Sequence, residues 1–293
     1  MKGLNKRNLI YKSLNAFTAP FKSYNAGRLR VLAYHTVVNT EIFESQLQFL
    51  RKNYNIIDLA YLESHLFNGK ELPENAILLT FDDGDYSVLE FGMPLLKKYG
   101  IPSVLFIITD LIETNKSFWW NRAYTFYKNS RFSDEQIGKK ISELKDLPNN
   151  MRIEELDKMP EVFTRQLTVR DLKELESSGM VICNHTHTHP ILNKCSKGDV
   201  KLEVSRAMDM LESWGFQHNQ IFAYPNGNFN SRAEKILKHK GISTAFLFDH
   251  KINVENINPM RISRIRVDSD TEIDEFQVKV SGLHPFLFNK FLK

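Results

Sequence analysis

The sequence predicts an α/β fold built on parallel strands. From residue 30 onward, short runs rich in β-branched and apolar residues alternate with stretches whose apolar residues recur at helical spacing. Three segments dense in carboxylates, imidazoles or turn residues each begin where one of those β runs ends, the edge at which parallel sheets and barrels collect their active sites. The chain has 293 residues, 42% hydrophobic and 25% charged, which are the proportions of an ordinary globular protein. Disordered, collagen-like and disulfide-framework chains are thereby excluded.

Arg30-Val31-Leu32-Ala33-Tyr34 reads as the first strand. Phe43, Leu47 and Leu50 then mark a helix, and residues 55–59 a second strand. Ala76-Ile77-Leu78-Leu79-Thr80-Phe81 is a nearly unbroken apolar run, as a strand buried on both faces requires. Met93, Leu95, Leu96 and Tyr99 predict a helix closed by Gly100, with Pro102 just beyond and a strand over 103–108. Residues 110–166 interrupt the rhythm: rich in Lys, Glu and Asn and without a strong β run, they read as a mostly helical insertion. Thr168 and Asp171 then form a variant capping box for a helix ended by Gly179. Strands over 180–183, 220–224, 243–248 and 262–267 follow, with helices over 200–214 and 231–240. The economical division is a basic segment (1–29), one domain (30–270) carrying the insertion, and a helical tail (271–293).

The formal charge of +4 is unevenly placed: the first thirty residues hold Lys2, Lys6, Arg7, Lys12, Lys22, Arg28 and Arg30 and no acid, so the remaining body is slightly acidic. A body without a basic stripe argues against nucleic-acid binding. Within residues 4–21, Ile10, Leu14, Phe17 and Phe21 fall at helical spacing among lysines, a pattern that suits an anionic membrane surface. Residues 282–293 repeat the theme, and the competing expectation is that both ends pack on the domain. Neither a secretory apolar run nor a membrane span is visible, so the expected location is cytoplasmic, with peripheral contact at the inner face of the membrane. Cys183 and Cys195 are too few for a disulfide framework and are expected to be free thiols.

The chemistry gathers in three places. Thr80-Phe81-Asp82-Asp83-Gly84 sets two carboxylates at a strand end, where like charges are costly unless a metal binds one and leaves the other as a base. Asn184-His185-Thr186-His187-Thr188-His189-Pro190 places three imidazoles in five residues, at least two of which can reach one ion; Zn²⁺ suits such ligands. Together these segments describe a two-histidine, one-carboxylate site with a position open to water, for which hydrolysis is the natural chemistry. Tyr224-Pro225-Asn226-Gly227 ends a further strand in a tight turn that can offer a backbone donor to an oxyanion.

Thr-Phe-Asp-Asp-Gly at 80–84 and His-Thr-x-x-His at 185–189 resemble the first two motifs of the polysaccharide deacetylase family (carbohydrate esterase family four). The resemblance implies a distorted (β/α) barrel of about seven strands that removes N-acetyl groups from amino sugars. It assigns Asp83, His185 and His189 to a divalent metal, Zn²⁺ first, and Asp82 to general-base work. His187 falls at a variable position. Val31-Leu32-Ala33-Tyr34-His35-Thr36-Val37 is similar to the start of one branch in which an early histidine is the acid, so His35 is expected to protonate the leaving amine; imidazoles ordinarily titrate near ~6.5, as that role needs. His250 and His284 are weaker substitutes. Two departures stand out: the motif arginine that orients the base is replaced by Ala223, and the motif tyrosine by Asn226. Arg264 is expected to replace the missing charge, with Arg266 as the alternative, because residues two apart on a strand share a face. Tyr224, Asn226 and Trp119 are the candidate substrate contacts, Trp119 by stacking on a sugar ring. The expected substrate is an N-acetylated amino sugar in a glycan, or a lipid-linked or lipopolysaccharide precursor. A catalytically degenerate glycan-binding barrel and a deacylase of another amide, such as a formamido sugar, are the alternatives.

Overall fold

The computed structural model describes residues 6–288, so Leu4 and the last five residues of the C-terminal run lie outside the described part. Eight strands form one sheet: β1 (Arg30–Tyr34), β2 (Asn55–Ile56), β3 (Ala76–Phe81), β4 (Ser103–Ile107), β5 (Met180–Asn184), β6 (Ile221–Ala223), β7 (Thr244–Phe246) and β8 (Ile265–Arg266). All pairings are parallel. The order is β7-β6-β5-β4-β3-β1-β8, with the short β2 beside the start of β3. A parallel bridge between Phe246 and Ile262 joins the β7 edge to the segment that enters β8, so the curled sheet returns on itself as a distorted seven-stranded barrel flanked by β2.

Strand alternation sorts the core into two layers. Val31, Leu78, Val104, Phe106, Cys183, Ala223, Phe246 and Ile262 meet inside the barrel. Leu32, Tyr34, Leu79, Phe81, Leu105, Ile107 and Ile182 face outward under helices. Those helices end where the sequence places caps. After α1 (Lys6–Asn15) and α2 (Thr18–Tyr24), α3 (Thr40–Asn53) starts at Asn39 and α4 (Leu59–Asn68) at Asp58, whose carboxylate accepts from Tyr61 N at 2.7 Å. That cap cuts the strand expected over 55–59 to two residues. Helix α5 (Met93–Tyr99) ends at Gly100 as predicted. The later strands are also shorter than expected. Pro225 has no N–H to continue β6. The Asn253 side chain takes both the N–H and the carbonyl of Ser263, interrupting the ladder ahead of β8.

The insertion is helical: α6 (Trp119–Asn129), α7 (Asp134–Asp146) and α8 (Asn149–Asp157) enclose a small core of Ala123, Leu144, Leu156 and Met159. An antiparallel bridge Lys116–Phe163 closes its stem, and a second, Asp85–Gln166, pins the stem to the loop after β3. The outer layer is completed by α9 (Val169–Ser177) behind its Thr168/Asp171 capping box, α10 (Lys197–Ser213), α11 (Ser231–His239), α12 (Ile273–Ser281) and α13 (Leu283–Phe288). Cys183 and Cys195 are buried free thiols.

The N-terminal stripe does not stay on one face. Helix α1 stops at Asn15, so Leu14 and Phe21 turn inward with Tyr11 against Val278 and Leu283, while Ile10 and Phe17 are left exposed. Arg7 grips Glu275 with two hydrogen bonds of 2.8 and 2.7 Å, and Asn15 donates to Asp274. The N-terminal segment therefore docks on α12. Among the described residues, no helix is long and apolar enough to cross a membrane.

Candidate active site

The inner-face residues of the barrel continue, two by two, into the site: Leu78 and Thr80 lead to Asp82, Cys183 to His185, Val31 to His35, Ile262 to Arg264 and Phe246 to Phe248. Strand alternation thus delivers side chains from separate strands to the C-terminal mouth of one barrel. Asp82, His185, His35 and Phe248 line a cavity of about 380 Å³ with Asp83, His189, Trp119, Trp120 and Asn226, and Arg264 lies buried beneath it.

Asp83, His185 and His189 are buried, and their ligand atoms lie within 4.8 Å of one another. Asp83 Oδ1 is 3.4 Å from His185 Nε2 and 3.5 Å from His189 Nε2, yet has no hydrogen-bond partner. His185 Nδ1 lies 2.9 Å from the Ala223 carbonyl, which fixes the proton there and leaves the Nε2 lone pair facing Asp83. A carboxylate and two imidazoles converging on an otherwise orphaned oxygen are the donor set for a divalent cation such as Zn²⁺. Burial penalises the charge of Asp83, but His185 and His189 outweigh it and hold the carboxyl well below the usual range. Burial pushes His189 down to about 3, so it is neutral as a ligand must be. Burial also opposes charge on His185, but Asp82 and Asp83 reverse the effect and raise it.

Backbone strain marks the same three loops. Asp83, Thr186, His189 and Asn226 all have positive φ, between 56° and 71°, a conformation that costs non-glycine residues of order 1 kcal/mol each. Gly227 follows at φ 68°, where a Cβ would overlap Phe248.

Asp82 rests on Arg264. Its two oxygens accept from Nη1 at 2.6 Å and Nη2 at 2.7 Å, while Nε donates to Leu247 O and Nη1 also to Thr80 Oγ1. Burial works against the Asp82 charge, but Arg264 and His185 hold the carboxyl below its ordinary value, so it is ionised at neutral pH. Arg264 is fully buried; Arg266, on the same inner face but nearer the mouth, lines the cavity and pairs with Asp268 at 3.3 Å. The charge absent at Ala223 on β6 is thus resupplied from the segment entering β8, beyond β7. His35 lines the cavity with Nε2 4.0 Å from Asp82 Oδ2 and its ring edge-on to Phe248.

Trp119 and Asn226 reach the cavity, but Tyr224 does not. Its ring is fully buried against Phe222 and Phe229, with the hydroxyl on Met260 O. Since Ala223 faces the barrel interior, the next residue must point out, so the expectation of a Tyr224 substrate contact is corrected. His187 sits aside, its Nδ1 3.0 Å from Thr109 Oγ1. His250 and His284 line a separate cavity of about 370 Å³ with Glu275 and Lys279. The sequence reading overlooked Lys145, which descends from α7 to the cavity and donates to Asn226 Oδ1 at 2.8 Å. Nothing in a helix period says which face of an insertion will cover a barrel. Phe248 was findable: it follows β7 at inner-face parity.

Solved structures share the fold. The Streptococcus pyogenes deacetylase PplD superposes with a TM-score of 0.64 at 20% identity, over 87% of this chain and 99% of that one. IcaB from Ammonifex degensii gives 0.62 at 22%, over 87% and 97%. By sequence, the poly-beta-1,6-N-acetyl-D-glucosamine N-deacetylase of Staphylococcus aureus is 23% identical over 258 residues, covering 84% of this chain and 73% of that protein. Residues 69–245 match the family model for polysaccharide deacetylase, which bears out the resemblance carried by the two motifs. The chain therefore belongs to the polysaccharide deacetylase family, hydrolases that act on carbon–nitrogen bonds.

Proposed function

We propose that this protein removes the N-acetyl group from an amino sugar in a glycan, with Asp82 as base, His35 as acid and Asp83, His185 and His189 as ligands of a divalent cation. The observation that carries the reading is the bidentate Arg264–Asp82 pair beside the Asp83–His185–His189 cluster. An ionised carboxylate held rigidly at the cavity is what a general base requires. A cation bound at the cluster supplies Lewis-acid polarisation of the acyl oxygen and acidifies water. Asp82 accepts a proton from the attacking water as its oxygen bonds to the acyl carbon. His35 gives a proton to the departing nitrogen as the C–N bond breaks, leaving acetate and a free amine. Asn226 supports the acyl oxygen from its strained turn. The Arg264 contact also speaks against a degenerate glycan-binding barrel, since it resupplies the charge that the motif arginine, absent at Ala223, would bring to Asp82.

The test is acetate release from N-acetylhexosamine oligosaccharides, free and lipid-linked, with metal content read by mass spectrometry. Asp82→Asn should lose activity by about 10²–10⁴-fold while keeping the metal, the usual range for a lost general base. His185→Ala should lose both. Equal rates for wild type and Asp82→Asn would refute the assignment. Zn²⁺ is the expected ion, since two imidazoles and a carboxylate are its common donors.

The same reading includes a lipid-linked or lipopolysaccharide-precursor substrate met at the inner, cytoplasmic face of the membrane. Its support is the exposure of Ile10 and Phe17 beside Lys6 and Lys12 on an acid-free segment. Ile10→Glu with Phe17→Glu should weaken binding to anionic vesicles and leave the melting temperature unchanged; unchanged vesicle binding would sink this part.

A further inference from the structure

A second cavity, of about 320 Å³, adjoins the active site and shares Trp119, Trp120 and His189 with it. Its far wall belongs to the insertion. There Arg152 on α8 is only 3% exposed, yet no carboxylate among the described residues lies within ion-pair distance. Its guanidinium has one hydrogen bond, from Nη2 to Asn149 Oδ1, and lies 4.9 Å from the centre of the Trp119 ring. Arg152, Trp119 and Ser117 line this cavity, and Arg152 Nε, Trp119 Nε1 and Ser117 Oγ are buried at its wall without a partner, each covered from solvent in this conformation and needing a side-chain turn to meet a ligand. Buried charges are ordinarily paired, and buried donors ordinarily satisfied, because both are costly otherwise. The acids of this cavity do not meet the need. Asp110 is matched by Lys116 at 3.4 Å and Glu161 by Arg122 at 2.8 Å, while Asp157 is exposed.

We infer that this cavity is a subsite for an anionic group on the substrate, a carboxylate or phosphate carried next to the acetamido sugar, held by Arg152, Trp119 Nε1 and Ser117 Oγ. The inference rests on the deacetylase reading for what occupies the neighbouring cavity, but not for the anion site itself. Three donors with no protein acceptor match the acceptor-only character of an oxyanion, and a guanidinium fits either anion through parallel N–H bonds. A neutral hydroxyl-bearing sugar would leave the Arg152 charge uncompensated. The Trp119–Trp120 pair, edge-on at 5.5 Å, stands between the two cavities and gives a flat wall for the ring that joins them.

Two measurements test it. Intrinsic tryptophan fluorescence is titrated with inorganic phosphate and with glucuronate, at constant ionic strength, for wild type, Arg152→Lys and Arg152→Gln. A saturable change is expected in wild type, at least tenfold weaker in Arg152→Gln and partly recovered in Arg152→Lys. No saturable change with either anion, or equal affinity in wild type and Arg152→Gln, overturns the subsite. Should the glutamine variant fail to fold, wild-type rates decide. Acetate release from oligosaccharides carrying glucuronate or a phosphate beside the acetamido sugar should exceed that from matched neutral ones at least tenfold in kcat/KM, and the better of the two identifies the anion. Equal rates overturn the subsite. Saturable anion binding without acetate release from any substrate would instead refute the deacetylase reading and leave the anion site standing.

Discussion

The floor and the wall of the active site are built differently. The floor comes from strand ends: Asp82, His185, Arg264 and His35 each extend the inner face of a strand, and both carboxylate oxygens of Asp82 are tied to Arg264. The wall comes from the insertion: Trp119, Trp120, Lys145 and Arg152 reach over from helices that pack on a small core of their own. The floor is short of freedom and the wall is short of partners. A barrel edge can hold reacting groups rigidly because parallel strands share one hydrogen-bond network, whereas an added helical layer can be exchanged without disturbing that network. On the proposed reading, chemistry belongs to the first region and choice of substrate to the second.

The comparison breaks most visibly at Arg264. Arg264→Met leaves the Asp82 charge buried and alone, so stability should fall by about 3–5 kcal/mol in denaturant unfolding, with activity lost as well. Adding Asp82→Asn should return part of the stability and none of the activity. If Arg264→Met is neutral for stability, the floor is not the rigid half of the site.

His35 separates chemistry from binding. His35→Gln should lower kcat on acetamido substrates by about 10²-fold with little change in KM, the low end for a missing general acid. Esters with a good leaving group need no proton on departure and should be spared. An equal loss on both would place His35 outside the acid role.

Gly227 tests the turn between floor and wall. Gly227→Ala sets a methyl group against Phe248 at positive φ and should cost about 1–3 kcal/mol, read as a lower melting temperature. It should also move Asn226 and so disturb the Lys145 contact.

The smallest effect is expected far from both regions. Burial opposes the charge on Glu275, but Arg7 and Lys279 outweigh it and hold its carboxyl below the ordinary value. A lowered folded pKa contributes stability above the unfolded value of about 4.3, and that contribution is lost as pH falls through the folded value. Arg7 is largely exposed, so the pair is worth under about 1 kcal/mol. Melting curves of wild type and Glu275→Gln should differ at neutral pH and converge in acid; a gap that widens in acid contradicts the docking of α1.

Much of the floor was legible because it is local. Asp82-Asp83 and His185-x-x-x-His189 are close in sequence, each follows a strand that its own apolar run announces, and alternation carries the rest. The same alternation was available for Tyr224 and would have turned it outward, had the inner parity of Ala223 been followed. Depth was harder: Arg264 and Arg266 share a face, and only barrel closure between Phe246 and Ile262 sets Arg264 beneath Asp82.

By itself the sequence determined the α/β barrel, its family, the metal-type cluster and the paired carboxylates, since these depend on contacts within a strand and the turn after it. Tertiary structure alone decided that Arg264 supports Asp82, that Lys145 comes over the mouth and Arg152 lines the cavity beside it, and that Leu14 and Phe21 dock on the domain while Ile10 and Phe17 stay out. Those outcomes turn on which surfaces of separate helices and strands meet, and the energy of such meetings lies in packing between residues far apart in sequence, 81 positions for Lys145 and Asn226 and 182 for Asp82 and Arg264.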